Sequence, residues 1–181
     1  IEAAKEKGYE VLFLDSPIVS HLIQKLESEN ENTMFVRVDG DHIENLIKKD
    51  EEQVSKLNDD EKESLTTLLT EIIPQEKFSV QLEAMDSQAN PFIITQPEFM
   101  RRMKEMQQSG GSGGMFGMGN MPDMYNLIVN TNHELVGEIL NTKTQKKKER
   151  LINQALDLAR LSQNLLKGEE LTTFIKRSYE M

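Results

Sequence analysis

The chain has 181 residues, a formal net charge of −10 and no cysteine. Its length suffices for one domain, or for one small domain beside part of another. The acidic balance argues against nucleic-acid binding, which needs a basic face, and the lack of cysteine excludes disulfides, thiolate metal sites and a cysteine nucleophile.

The chain begins without a methionine or a signal-peptide pattern, and no apolar run approaches the length that spans a bilayer. We therefore expect a cytoplasmic fragment of a larger protein. Residues 1–38 predict a strand-helix unit. Tyr9–Leu14 is rich in strand formers, Asp15 to Pro17 is typical of a helix start, and Met34–Val38 is expected to return as a second strand. Residues 39–57 are charge-dense and predict a connector between two domains.

Residues 58–181 predict a second domain, which opens with a helix. Asn58 and Glu61 have the spacing of a capping box, and Pro74 ends the apolar pattern. Residues 78–84 then alternate apolar and polar side chains, as in a half-buried strand. A turn should reverse the chain into a second strand at Phe92–Thr95.

Seven of the ten methionines lie between residues 99 and 124. Thr95 and Glu98 have capping-box spacing for a helix that carries the first three, and residues 108–123 form a glycine-rich loop that carries most of the others. Unbranched, polarisable thioethers on such a support make a surface that repacks around many apolar partners. The alternative is that the stripe is a buried helix face. The stripe consists of Met100, Met103 and Met106.

Tyr125–Val129 predicts a third strand, and Asn130, Thr131 and Asn132 are good cap residues for a helix that runs through Leu140. The second domain is therefore expected to be α+β, with a small three-stranded sheet and helices.

The last forty residues predict a helical hairpin. An apolar stripe wider than one packing seam occupies the first helix, which we expect Gly168 to end, and a final apolar face follows. A three-stranded sheet covers only part of this surface, so we expect two copies to form a dimeric four-helix bundle. The alternative is that the hairpin packs wholly on its own sheet. The stripe comprises Leu151, Ala155, Leu158 and Leu165, and the final face includes Leu171, Phe174, Ile175 and Tyr179.

No pattern supports catalysis or metal binding in this chain. His21, His42 and His133 lie in separate predicted elements without acidic or hydroxyl partners at motif spacing. The Gly-x-Ser-x-Gly letters at 110–114 fall in a glycine linker rather than between a strand and a helix, as a nucleophile elbow requires. We expect neither enzymatic activity nor a cofactor.

Three segments carry a family resemblance: KGYEVLFLDSPI at residues 7–18, NTNHELV at 130–136 and FIKR at 174–177. In their order and spacing they resemble the 90-kDa heat-shock protein family of chaperones, most closely its bacterial branch. By this resemblance residues 1–38 are the end of the middle domain, and residues 58–181 are the carboxy-terminal dimerisation domain.

The resemblance implies a cytoplasmic, ATP-dependent stress chaperone that dimerises with itself and binds unfolded or partly folded clients. ATP and magnesium would bind an amino-terminal domain that this chain does not contain. The implied dimer interface comprises Leu151, Ala155, Leu158, Leu165, Phe174 and Ile175. The implied client-binding face comprises Phe99, Met100, Met103 and Met106.

Two positions depart from the family pattern. His21 stands where relatives often carry a client-contacting tryptophan, and Thr131 with Asn132 replaces the usual Pro-Asp. The acidic EEVD tail of eukaryotic relatives is absent, so partners with tetratricopeptide repeats are not expected. Two other classes remain open from the residues: a methionine-rich signal-sequence-binding module and a purely structural dimerisation domain.

Overall fold

The computed structural model describes residues 4–5, 8, 10–14, 16, 18–30, 33, 35, 53–96, 100 and 124–179. The chain divides into two compact units. One lies within residues 1–50 and 96–121, and the other within residues 51–95 and 122–181.

The first unit contains helix α1, Val19–Glu29, which confirms the predicted helix. The Phe35 backbone N–H donates to Glu27 Oε1 at 2.9 Å and so holds the residues that follow the helix. The strand predicted for Tyr9–Leu14 is not formed over its described part, residues 10–14. A strand needs a neighbouring backbone, and within the described residues none pairs with this run, which leaves Phe13 76% exposed.

The second unit is built on a three-stranded sheet, as predicted. Its strands are β1, Phe78–Glu83, β2, Phe92–Thr95, and β3, Tyr125–Asn130. The order is β1-β3-β2, with β3 parallel to β1 and antiparallel to β2. The turn after β1 therefore reverses the chain as expected, but β1 and β2 do not pair. The last four residues of β3 are all buried, as expected for the strand that occupies the centre of the sheet.

The helices of this unit within the described residues are α2, Asp59–Ile72, α3, Glu134–Asn141, α4, Gln145–Ser162, and α5, Gly168–Ser178. Helix α2 packs on β1 and α4 packs on β2, whereas α3 packs against α2 and α4, and α5 packs against α4. The capping box predicted for α2 is present, since Asn58 Oδ1 accepts from the Glu61 N–H and Glu61 Oε2 accepts from the Asn58 N–H, each at 2.9 Å. The fully buried side chains of the core include Leu65, Leu69, Leu127, Val129, Val136, Ile139 and Ile152.

Helix α4 ends at Ser162 and not at Gly168, which corrects the predicted boundary. Asn164 adopts a left-handed φ of 56°. The Leu165 N–H then donates to the Arg160 carbonyl at 2.9 Å, and the Asn164 N–H donates to the Leu161 carbonyl at 3.1 Å. This is a Schellman motif, which asparagine can close because it tolerates the left-handed region. Leu165 therefore belongs to the connection between the helices, and Gly168, with φ of 57°, begins α5.

The turn Asn130–Asn132, between β3 and α3, is polar and buried. Asn130 is 0% exposed, and its Oδ1 accepts from the N–H groups of Met85 at 3.2 Å and Asn132 at 3.0 Å. Its Nδ2 donates to the carbonyls of Asp86 at 2.7 Å and Ala89 at 3.4 Å. One side chain thus ties the end of β3 to the loop between β1 and β2.

The residue that caps the start of α3 is His133, whereas the sequence pattern predicted a cap at Asn130, Thr131 or Asn132. His133 Nδ1 accepts from the Leu135 N–H at 3.0 Å. The side chains of the preceding turn are occupied by long-range hydrogen bonds, so the capping position moves one residue along the chain.

We predict that Asn130→Ala lowers the free energy of unfolding by about 3 kcal/mol, because it leaves the buried N–H groups of Met85 and Asn132 without their acceptor. Urea denaturation followed by circular dichroism measures the change. Asn126→Ala, at a half-buried position of the same strand, is the matched control and should cost much less. Equal losses would contradict the role assigned to the Asn130 amide.

Candidate functional site

The α4–α5 hairpin is held on one flank by an ionic clamp, which we define as Asp157, Arg160, Glu170 and Arg177. Asp157 accepts from Arg160 Nη1 at 3.1 Å and from Arg177 Nη2 at 2.8 Å, and Arg160 also pairs with Glu170. The Asp157 and Arg160 side chains are only 14% and 17% exposed, so the pairs are poorly screened by solvent.

Arg177 adds further contacts to the clamp. Its Nη2 also donates to the Asn153 carbonyl and to Gln154 Oε1, both at 3.2 Å, and its guanidinium lies 5.8 Å from the centre of the Phe174 ring. The FIKR segment therefore folds the last helix back onto α4, a role that its sequence alone did not reveal.

The opposite flank of the hairpin is apolar. Ile175 on α5 and Tyr179, the residue that caps its end, lie two residues to either side of Arg177, which turns both away from the clamp. On α4, Leu158 lies two residues before Arg160 and is likewise turned away from it. We call three exposed side chains the apolar flank: Leu158, 51% exposed, Ile175, 42%, and Tyr179, 87%. Leu161 is also 40% exposed, but it lies four residues after Asp157 and so on the same side of α4 as the clamp.

The structure divides the six predicted interface residues into three groups. Leu158 and Ile175 lie on the apolar flank, and Leu151 and Leu165 are partly buried against the core. The other two, Ala155 and Phe174, are buried within the chain itself. Tyr179 is the exposed side chain of the apolar flank that was not among the six predicted interface residues.

The predicted client-binding face lies almost wholly outside the described residues. Met100 is helical and partly buried, whereas Phe99, Met103 and Met106 lie outside them. The Thr95 hydroxyl is buried without a hydrogen-bond partner within the described part of the chain, and its predicted capping partner Glu98 also lies outside.

Two features that the described residues lack bear on other classes of site. Among them, no group of three or more histidine, aspartate or glutamate side chains is arranged to hold a metal ion. No helix that they form is long and apolar enough to cross a membrane.

A small mixed sheet, its covering helices and a closing hairpin together make an α+β domain. The family model of the Hsp90 protein matches residues 1–176, so the chain belongs to the Hsp90 family. The resemblance drawn from its three short segments is thereby confirmed.

Bacterial chaperones are among the relatives. The chain is 32% identical to chaperone protein htpG of Bacteroides fragilis strain 638R over 248 aligned positions, gaps included, which cover all of this chain and 36% of that protein. It is 37% identical to chaperone protein HtpG of Porphyromonas gingivalis strain ATCC 33277 over 164 residues, which cover 89% of this chain and 24% of that protein. The chain thus spans about a third or less of the length of these curated relatives.

The fold and the family exclude one of the two alternative classes of protein, the signal-sequence-binding module. A signal-sequence-binding module of the methionine-rich class is all-helical, whereas this chain has a three-stranded sheet and belongs to the Hsp90 family. That alternative is therefore wrong.

We predict that Asp157→Asn lowers the free energy of unfolding by about 1–2 kcal/mol, because two partly buried guanidinium groups lose the carboxylate between them. Thermal denaturation at low and high salt measures the effect. The control is Glu138→Gln, which removes the exposed pair with Lys147 and should change stability by less than about 0.5 kcal/mol. An equal response of the two variants would show that the clamp does not hold the hairpin.

Proposed function

We propose that this chain is the dimerisation and client-holding part of an ATP-dependent chaperone. The apolar flank of the hairpin is the observation that carries the proposal. Leu158, Ile175 and Tyr179 are 51%, 42% and 87% exposed and are each turned away from the clamp. Apolar surface grouped in this way is typical of a protein interface, and a second copy of the chain offers a self-complementary partner.

The clamp and the apolar flank support a twofold arrangement. The clamp fixes the two helices of one hairpin to each other with polar bonds. The opposite flank is therefore free to pack against the same flank of a second copy, which makes four helices around a shared apolar seam. Of the six predicted interface residues, we assign direct contact to Leu158 and Ile175, with Tyr179 added.

We predict that Leu158→Glu converts the dimer to a monomer, because the twofold axis brings two buried carboxylates into one apolar seam. Sedimentation equilibrium should give twice 20.8 kDa for the unmodified chain and 20.8 kDa for the variant. Val54→Glu, at an 84% exposed apolar position outside the hairpin, should remain dimeric. A concentrated unmodified chain that sediments as a monomer would overturn the proposed dimer.

The client-holding role rests on the methionine-rich segment. Phe99, Met100, Met103 and Met106 supply adaptable apolar contacts, and dimerisation presents two such segments to one client. Because the two segments are linked in one dimer, two weak contacts with the same unfolded or partly folded protein together give a higher apparent affinity. The relatives are named chaperones, which is consistent with this role. In this proposal another part of the parent protein hydrolyses ATP. The parent protein works in the cytoplasm.

We predict that the double variant Met103→Ser, Met106→Ser binds an unfolded test protein about tenfold more weakly, because it removes two thioether contacts. Fluorescence anisotropy of a labelled, reduced and unfolded protein measures the change. Gln107→Ser with Gln108→Ser, on the same segment, is the matched control and should bind like the unmodified chain.

The same pair of variants separates client binding from a purely structural role. If the methionines are core residues of a structural dimerisation domain, the methionine variant should lose several kcal/mol of stability. Unchanged stability and sedimentation, with weaker binding, support the client-holding role.

A further inference from the structure

The two outer strands of the sheet, β1 and β2, differ in how well their side chains are covered. Val80 of β1, Leu127 of β3 and Ile94 of β2 lie in one row across the sheet. Leu127 is 0% exposed and Ile94 is 1% exposed, whereas Val80 is only half-buried. Leu82 is also half-buried, although its two neighbours in β3 and β2 are buried. The more open edge of the sheet is therefore that of β1.

The pairing of β1 with β3 shows which main-chain groups of β1 face outward. The Tyr125 N–H donates to the Lys77 carbonyl at 2.9 Å, and the Thr131 N–H donates to the Glu83 carbonyl at 2.8 Å. In a parallel pair, alternate residues of one strand bond to the same neighbour. The odd-numbered residues of β1 therefore bond to β3, and the even-numbered residues direct their N–H and C=O groups to the outer side.

Two residues of β1 present unused main-chain groups at this edge. The Phe78 N–H donates to the Pro74 carbonyl at 3.1 Å and is thus paired. The outward N–H and C=O groups of Val80 and Leu82 form no hydrogen bond within the described part of the chain. An added strand would therefore find two donors and two acceptors here.

Strand β1 lacks the features that usually prevent edge strands from pairing with other chains. Such features include proline, lysine, a bulge or a very short strand. Strand β1 has six residues, its sequence FSVQLE contains neither proline nor lysine, and its register with β3 runs without a bulge. Its Ser79 and Gln81 side chains are small or polar and exposed. This regular, unprotected edge suits the addition of an extended peptide.

The charge of helix α2, which packs on β1, indicates the kind of peptide. This helix carries five acidic side chains, all of them exposed, and one lysine. A second copy of the chain, added edge to edge, would bring another helix of the same negative charge to the junction, where like charges repel. A basic segment is attracted instead.

We propose that the outer edge of β1 binds an extended, basic segment of an unfolded protein by strand addition. Val80 and Leu82 supply the main-chain hydrogen bonds, and apolar side chains of the segment continue the two rows of the sheet to which these residues belong. The nature of the occupant rests on the client-holding role proposed above. The contact itself is new, because it uses main-chain groups and not methionine side chains.

Hydrogen exchange of single amides, followed by nuclear magnetic resonance, tests the proposal with a short peptide of alternating lysine and valine. At saturation we expect the Val80 and Leu82 amides to exchange at least about tenfold more slowly. The same peptide with a methyl group on every amide nitrogen keeps its charge but cannot donate, and it should have no effect. Unchanged exchange with the first peptide, or slower exchange at Ile94, whose N–H faces the edge of β2, would overturn the proposal.

Val80→Pro removes one outward donor that the sheet does not use, and proline is tolerated at such edge positions. The variant should keep its fold and lose peptide binding. The methylated peptide decides the matter on the unmodified chain if this variant fails to fold.

Gln81 allows a matched test of charge, because its side chain is exposed. We expect Gln81→Lys to bind the lysine-valine peptide about threefold more weakly than the unmodified chain and Gln81→Glu about threefold more tightly, with both effects reduced by salt. A peptide of alternating glutamate and valine should reverse the order. Equal affinities of the two variants would contradict a basic occupant.

Two further outcomes separate this inference from the proposed function. If Val80 and Leu82 are protected without peptide as the chain is concentrated, a second copy occupies the edge and the inference is wrong. If the chain binds a basic, unfolded protein and these amides do not change, the inference is again wrong, but the client-holding role stands. Slower exchange with the peptide, in a chain that binds no unfolded protein, would support the edge site and contradict the client-holding role.

Discussion

The second unit depends on the buried amides of the Asn130–Asn132 turn. Asn130 uses both lone pairs and both N–H bonds of its side chain, and it is completely buried. Buried polar groups are tolerated only when they are paired, so this turn permits one arrangement of its neighbours and penalises others. The strand β3, the loop after β1, the segment before α2 and the start of α3 are all placed by it.

The sequence predicted the elements of the second unit well because each has a local signal. The capping box at Asn58, the alternation along β1 and the apolar run of β3 are patterns within a few residues. The strand order could not be predicted in the same way, because the neighbours of a strand are chosen by distant residues. The end of α4 was missed because the Leu165–Leu166 pair continues the apolar pattern past Asn164, whose left-handed φ closes the helix.

Local sequence patterns were also insufficient to predict which residues of the α4–α5 hairpin are exposed. Apolar spacing gave Leu158 and Ile175, but it also gave Ala155 and Phe174, which the chain buries within itself. A periodic stripe marks every residue on one side of a helix and does not say what will cover it. The ionic clamp joins α5 to α4 through Asp157, but only the burial of each side chain in the folded chain separates Leu158 and Ile175 from Ala155 and Phe174. The family resemblance singled out the FIKR segment, but only the contacts of Arg177 show that this segment holds α5 against α4.

The position of β3 in the sheet has a consequence for biosynthesis. The central strand is the last of the three in the chain, so β1 and β2 leave the ribosome before the strand that joins them. At a translation rate of about 5–20 residues per second, residues 96–124 take a few seconds to emerge. During that time β3 is not yet available to pair with β1 and β2. The sheet can therefore close only after β3 itself has left the ribosome.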